Sequence, residues 1–158
     1  MLTAIFPGTF DPITNGHVDL ILRASLLFPR LIVAVADNPN KKTLFSLDER
    51  VDLVSTALEH LLNVEVIGYS NLMADFAKEH LATVLIRGVR TTYDFEYERQ
   101  LAEMNRSLKN DLDTIFLMPS IATSFISSTI VKDVALHDGD ISILVPKHVE
   151  VALLQRIG

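Results

Sequence analysis

The chain contains no cysteine. That absence excludes a disulfide framework, a thiolate nucleophile and a cysteine-ligated zinc site, and it fits a reducing compartment. Positive charge is also in short supply. In 158 residues, 14 Lys and Arg face 20 Asp and Glu, for a formal net charge of -6. This balance argues against a broad basic face for nucleic acid or an anionic membrane. It leaves room for a small positive pocket inside an acidic shell. No basic segment followed by a long apolar run opens the chain, so no secretory signal is expected. The longest uncharged stretch, Thr114–Val131, holds Pro119, four serines and three threonines. It reads as strand, loop and helix start, not as a membrane span. The expectation is a soluble, cytoplasmic protein.

Several catalytic signatures are missing as well. There is no G-x-x-x-x-G-K-[ST] phosphate loop and no G-x-G-x-x-G, so a kinase or a dinucleotide dehydrogenase has little support. No G-x-S-x-G elbow or H-E-x-x-H pair occurs. His60, His80 and His137 lie near expected helix ends, where a cap or a favourable charge explains them. No carboxylate cluster resembles a metal cage.

What the chain does have is alternation. Its hydrophobic fraction of 49% is enough for a core, and the length suits a single domain over residues 1–158. Short apolar runs at Leu2–Phe6, Leu31–Ala36, Val64–Ile67, Thr83–Ile86 and Thr114–Met118 read as strands. Between them lie helical patterns. Thr14 and Asn15 would cap the first, with Val18, Ile21, Leu22 and Ser25 on one face. Ser46 and Glu49 form a capping box for the second, whose buried stripe would be Val51, Val54, Leu58, Leu61 and Leu62. Leu72–His80 follows, with Met73, Phe76 and Ala77 inward. Tyr93–Leu108 places Tyr97, Leu101, Met104 and Leu108 on one face. Ser127–Leu136 and Pro146–Arg156 close the chain, with Ile141–Val145 as a short extended piece between them. The pattern predicts an α/β, Rossmann-like doubly wound fold: five mostly parallel strands with helices on both faces. In such folds ligands sit beyond the carboxyl ends of the strands, near the point where strand order reverses.

The loops at those ends are suited to phosphate. Pro7-Gly8-Thr9-Phe10-Asp11-Pro12 follows the first strand and leads to Thr14-Asn15-Gly16-His17 at a helix start, where free N–H groups and partial positive charge attract anions. His17 is either a phosphate contact or a capping histidine. Lys41 and Lys42 follow the second strand, where a solvated loop is the usual fate of a lysine pair. Arg87 and Arg90 flank Gly88 and Val89 after the fourth strand. Two guanidiniums there could grip phosphate oxygens or pair with Asp94, Glu96 or Glu98. Ser124-Phe125-Ile126-Ser127-Ser128-Thr129 follows the fifth strand, where hydroxyls cap a helix or bind phosphate. Each signal is weak alone, but four such loops at one sheet edge point to a phosphorylated ligand.

These residues carry a resemblance. Thr14-Asn15-Gly16-His17 resembles the T/H-x-G-H motif of the nucleotidyltransferase superfamily, and Ile126–Lys132 resembles its second signature. With Pro7–Pro12, Lys41-Lys42, Asn71–Ala74, Arg87–Arg90, Asp94–Glu98, Met104–Arg106, Phe116–Pro119 and Gly139–Ile141, the whole chain resembles bacterial phosphopantetheine adenylyltransferases. The resemblance implies transfer of AMP from ATP to 4'-phosphopantetheine, giving dephospho-coenzyme A and pyrophosphate, with Mg2+ delivered on ATP and with a homohexamer. It implies that Thr9, Phe10, His17, Gly88, Val89, Arg90, Glu98 and the stretch Thr123, Ser124, Phe125, Ile126, Ser127, Ser128 and Thr129 contact ATP. It places Thr9, Lys41, Met73 and Arg87 on phosphopantetheine.

Four positions depart from the family pattern: Phe6 where tyrosine is common, Tyr93 where a small residue is common, Thr123 where an aromatic is frequent, and Lys132 for a frequent arginine. The acceptor phosphate is already anionic, so no general base is needed. Catalysis would rest on fixed donors, with His17 and Arg90 on the ATP phosphates and Lys41 and Thr9 orienting the acceptor. The rival expectations are a nucleotidyltransferase for nicotinamide mononucleotide or a polyol phosphate, a nucleotide-binding module without turnover, and a purely structural domain.

Overall fold

Leu31–Val35 is apolar at every position, and every one of these side chains is buried. A strand with cover on both faces needs this pattern, and it marks the middle of a sheet. The computed structural model describes all 158 residues. Its elements run β1 (Thr3–Gly8), α1 (Asn15–Leu27), β2 (Arg30–Ala36), α2 (Leu47–Leu58), β3 (Val64–Tyr69), α3 (Met73–Glu79), β4 (Val84–Gly88), α4 (Thr92–Leu108), β5 (Asp113–Leu117), α5 (Ser128–Leu136) and α6 (Lys147–Ile157). The five strands form one sheet in the order β3-β2-β1-β4-β5, and every pairing is parallel. The α/β, Rossmann-like architecture expected from the alternation is present. Order reverses between β1 and β4, which opens a crevice at their carboxyl ends.

Successive residues of β1 serve opposite faces. Ala4 and Phe6 join a 24-residue apolar cluster with side chains of α1, α2, α5 and α6. Ile5 joins an eight-residue cluster with Phe76 and Ala77 of α3. No helix is long and apolar enough to cross a membrane.

The helix starts follow their local chemistry. Ser46 caps α2 and completes a capping box with Glu49. Thr14 alone caps α1; Asn15 is its first helical residue, and the reciprocal member of the box is His17.

Several expectations need correction. Ile141–Val145 is a turn, not an extended piece, because Ile141, Leu144 and Val145 all reach the large core and Leu144 N–H bonds back to the Ile141 carbonyl. Leu62 is 98% exposed and leaves the α2 stripe, since the helix ends at Leu58. Leu22 is also exposed; Leu20 and Ala24 take the inward positions of α1 beside Ile21 and Ser25. The face of α4 formed by Tyr97, Leu101, Met104 and Leu108 lies open to solvent, and the one buried residue of this helix is Glu98.

Candidate functional site

The crevice beyond β1 and β4 holds a cleft of about 370 Å3. The β1–α1 loop supplies Gly8, Thr9 and Phe10, and the first turn of α1 supplies Gly16 and His17. The end of β4 supplies Arg87 and Gly88, with Arg90 just beyond. From α4 come Asp94, Tyr97 and Glu98; Thr123, Ile126, Ser127 and Ser128 complete the opposite wall.

Small residues let these segments come together. A Cβ on Gly88 would stand 2.6 Å from Leu20 Cδ1, and one on Gly8 would stand 2.9 Å from the Phe10 ring. Phe10 itself has φ of +51°, a left-handed conformation that costs a non-glycine residue energy. Its buried ring compensates by packing edge-on against His17, with ring centroids 4.9 Å apart.

His17 is held in one tautomer. Its Nδ1 accepts from Thr14 N–H at 3.0 Å. A neutral ring therefore carries its proton on Nε2, the nitrogen left as a donor for the cleft. Burial, then the charges of Arg90 and Arg87, lower its pKa from 6.5 to about 4. At neutral pH this residue is an uncharged hydrogen-bond donor beside two guanidiniums.

The two arginines differ. Arg87 forms a bidentate pair with Glu98, Nε to Oε2 at 2.8 Å and Nη2 to Oε1 at 2.7 Å, and its Nη1 donates to the Pro7 carbonyl at 2.9 Å. Three of its five N–H groups are thereby spoken for, and both Glu98 oxygens serve Arg87. Arg90 is half-exposed, and its only ion pair is a loose one, 3.8 Å to Asp94.

One serine caps a helix and the next ties two segments together. Ser127 Oγ caps α5 by accepting from Ile130 N–H at 3.2 Å, and Ser128 Oγ donates to the Pro12 carbonyl at 2.8 Å. Ser127 and Ser128 also line the cleft. The second bond ties α5 to the β1–α1 loop.

A second cavity of about 210 Å3 adjoins the first and shares Pro7, Arg87 and Glu98 with it. Its remaining lining is Tyr69, Met73, Leu85, Leu101, Ala102, Asn105 and Thr114. This slot is largely apolar, yet it contains Thr114 Oγ1, a buried hydroxyl oxygen without a hydrogen-bond partner. Burial raises the pKa of the Tyr69 phenol, so it remains a donor at neutral pH.

The structure thus gathers Thr9, Phe10, His17, Arg87, Gly88, Arg90, Glu98, Thr123, Ile126, Ser127 and Ser128 around one cleft. Met73 lies in the adjoining slot. Val89, Ser124, Phe125 and Thr129 are outside the lining of both, and Lys41 sits on the exposed loop between β2 and α2. Asn105 and Thr114 were given no role from sequence. Asn105 falls within the Met104–Arg106 segment of the resemblance but on a helix that reads as amphipathic, and Thr114 lies within an apolar strand, so neither was singled out as a contact.

Two of the cleft carboxylates have basic partners. Asp94 pairs with Arg90, Glu98 with Arg87, and no group of three or more His, Asp or Glu residues could hold a metal ion.

The fold has relatives of known structure. The crystal structure of a protein assigned as a nicotinate-nucleotide adenylyltransferase from Vibrio parahaemolyticus superimposes with a TM-score of 0.74 over 98% of this chain and 93% of that one, at 18% identity. A family model matches residues 5–134, from β1 to within α5. That match spans the loops that build the cleft, and by it the chain belongs to the cytidylyltransferase-like family of nucleotidyltransferases.

Proposed function

We propose that this nucleotidyltransferase moves AMP from ATP to 4'-phosphopantetheine, giving dephospho-coenzyme A and pyrophosphate. The observation that carries this reading is the pair of adjoining cavities. A cleft lined mostly by polar residues suits a nucleoside triphosphate, and a smaller, more apolar slot lies on the other side of Pro7, Arg87 and Glu98. Phosphopantetheine has the matching chemistry: an anionic end and a long aliphatic arm interrupted by amides. Asn105 is suited to an amide, while Met73 and Leu101 suit its methylenes. A mononucleotide acceptor would bring a sugar with hydroxyls that this slot satisfies poorly, which costs binding energy.

In the reaction, an oxygen of the acceptor phosphate attacks the α-phosphorus of ATP. The bond from that phosphorus to the bridging oxygen breaks, and pyrophosphate leaves with its electron pair. His17 Nε2–H and Arg90 would stabilise charge on the phosphates, while Thr9, Arg87 and Lys41 orient the acceptor. Ser127, Ser128 and the start of α5 would hold the nucleotide. Mg2+ belongs to this reading as part of the ATP complex, held largely by phosphate oxygens. Self-assembly to a hexamer also belongs to it, supported by the uncovered Tyr97, Leu101, Met104 and Leu108 face.

The test is pyrophosphate release from ATP with a panel of acceptors: phosphopantetheine, nicotinate mononucleotide, nicotinamide mononucleotide and polyol phosphates. Release with phosphopantetheine alone is the expected result. Preference for a mononucleotide would replace the acceptor. Binding of ATP without entry of labelled pyrophosphate into ATP in the presence of dephospho-coenzyme A would make the chain a module without turnover.

A further inference from the structure

Arg50 of α2 is 1% exposed, yet it pairs with no carboxylate. Its charge is met by three carbonyls: Nε donates to Phe45 at 3.2 Å, and Nη1 donates to Thr9 at 2.7 Å and to Ala36 at 2.8 Å. Burying an arginine without a counter-ion is costly, and apolar packing would often serve stability as well. The three carbonyls belong to meaningful places. Ala36 ends β2 and Phe45 precedes α2, so they bracket the loop that carries Lys41; Thr9 lies in the β1–α1 loop.

The far end of the Lys41 loop is gripped further. Asp11 accepts from Leu44 N–H at 2.9 Å and from Phe45 N–H at 3.0 Å, and Lys132 of α5 pairs with the same carboxylate at 3.1 Å. Arg156 of α6 donates to the Leu44 carbonyl at 2.9 Å. All four backbone polar groups of the Leu44-Phe45 dipeptide are therefore held by charged side chains from three other parts of the chain.

We infer that Arg50 is a positioning residue: it joins both ends of the Lys41 loop to Thr9 and so sets Lys41 and Thr9 relative to the incoming phosphate. The inference rests on the acceptor role given to these two residues above. Arginine suits the task because its planar fork reaches several carbonyls at fixed angles, whereas a lysine amine meets them from one point. A displacement of about 1 Å in a group that orients a reactant costs on the order of 100-fold.

The experiment is a cycle of Arg50→Lys, Lys41→Ala and the double variant, measured with ATP and each acceptor of the panel, with thermal unfolding alongside. Arg50→Lys should lower kcat/KM for the acceptor ~10–100-fold while KM for ATP changes less than ~3-fold. The double variant should lose less than the two single losses combined, because Arg50 acts partly through Lys41 and partly through Thr9. Additive losses, or an equal rise in KM for ATP, would overturn the inference. If Arg50→Lys does not fold, Asp11→Asn loosens the same dipeptide with little change of volume and must show the same split. Turnover by the wild type of a different phosphate acceptor overturns the acceptor assignment only, and the cycle with that acceptor then decides on Arg50. Turnover of none overturns both.

Discussion

The two faces of the sheet are covered unequally. One carries 24 buried apolar residues beneath α1, α2, α5 and α6; the other carries eight, gathered around α3, and α4 adds none. The two parts of the site divide along the same line. His17, Ser127 and Ser128 come from helices of the heavily packed face, and Met73, Leu101 and Asn105 of the slot come from α3 and α4. His17, Ser127 and Ser128 are fixed by packing and capping on the heavily packed side. The slot residues Met73, Leu101 and Asn105 stand on the lightly packed side.

The sharpest way to break this division is His17→Ala. Loss of one preorganised donor costs ~100–1000-fold in turnover, and circular dichroism should show the fold retained. Turnover near the wild-type value would remove His17 from the mechanism. In stability, Leu153→Ala on the heavily packed face should cost ~2–5 kcal/mol in denaturant unfolding, and Leu101→Ala on the open face should cost under ~1 kcal/mol. Equal costs would show that the asymmetry of cover has no energetic weight.

His17 also gives a pH signature. Its folded pKa of about 4 lies below the ordinary 6.5 because of burial, then Arg90 and Arg87. Between these values the unfolded chain binds more protons than the native one, so this contribution is fully present above pH 6.5 and is lost as pH falls towards 4. Thermal unfolding of His17→Gln across that window should lack this part of the slope. An identical slope would mean that the ring is not held neutral.

Smaller effects are expected on the lightly packed side. Asn105→Ala should raise KM for the acceptor ~10-fold with kcat nearly unchanged, as loss of uniform binding does. A fall in kcat instead would bring the slot into the chemistry. Met104→Glu should lower the sedimentation coefficient if the open α4 face joins subunits. An unchanged coefficient would free that face from assembly.

The strands and most caps were legible because their causes are local. Continuous apolar runs mark doubly covered strands, and Ser46 with Glu49 announces a helix start. The phosphate-suited loops were legible as a set because topology sends all of them to one edge. The rest depended on distance. In the sequence, Arg50 lies among Asp48, Glu49 and Asp52 and reads as one more charge on a solvated helix face. Only the folded chain brings Thr9, Ala36 and Phe45 to it. The pairing of Arg87 with Glu98 was one of several combinations that spacing allowed. The α4 stripe has the periodicity of a core helix, and nothing in that periodicity says whether its cover comes from its own chain.

The turn at Ile141–Val145 has an outcome for synthesis. The Leu144 carbonyl accepts from Asn15 N–H at 2.8 Å, and the Ile143 carbonyl accepts from Asn15 Nδ2 at 2.9 Å. The start of α1, two residues before His17, is therefore tied down by a segment made more than a hundred residues later. A chain leaving the ribosome N-terminus first can pair its strands and assemble the cleft's other walls before this tie exists. Nascent chains stalled short of residue 143 should be compact yet unfinished at the histidine, and competence should arrive once residues 143 and 144 are in place.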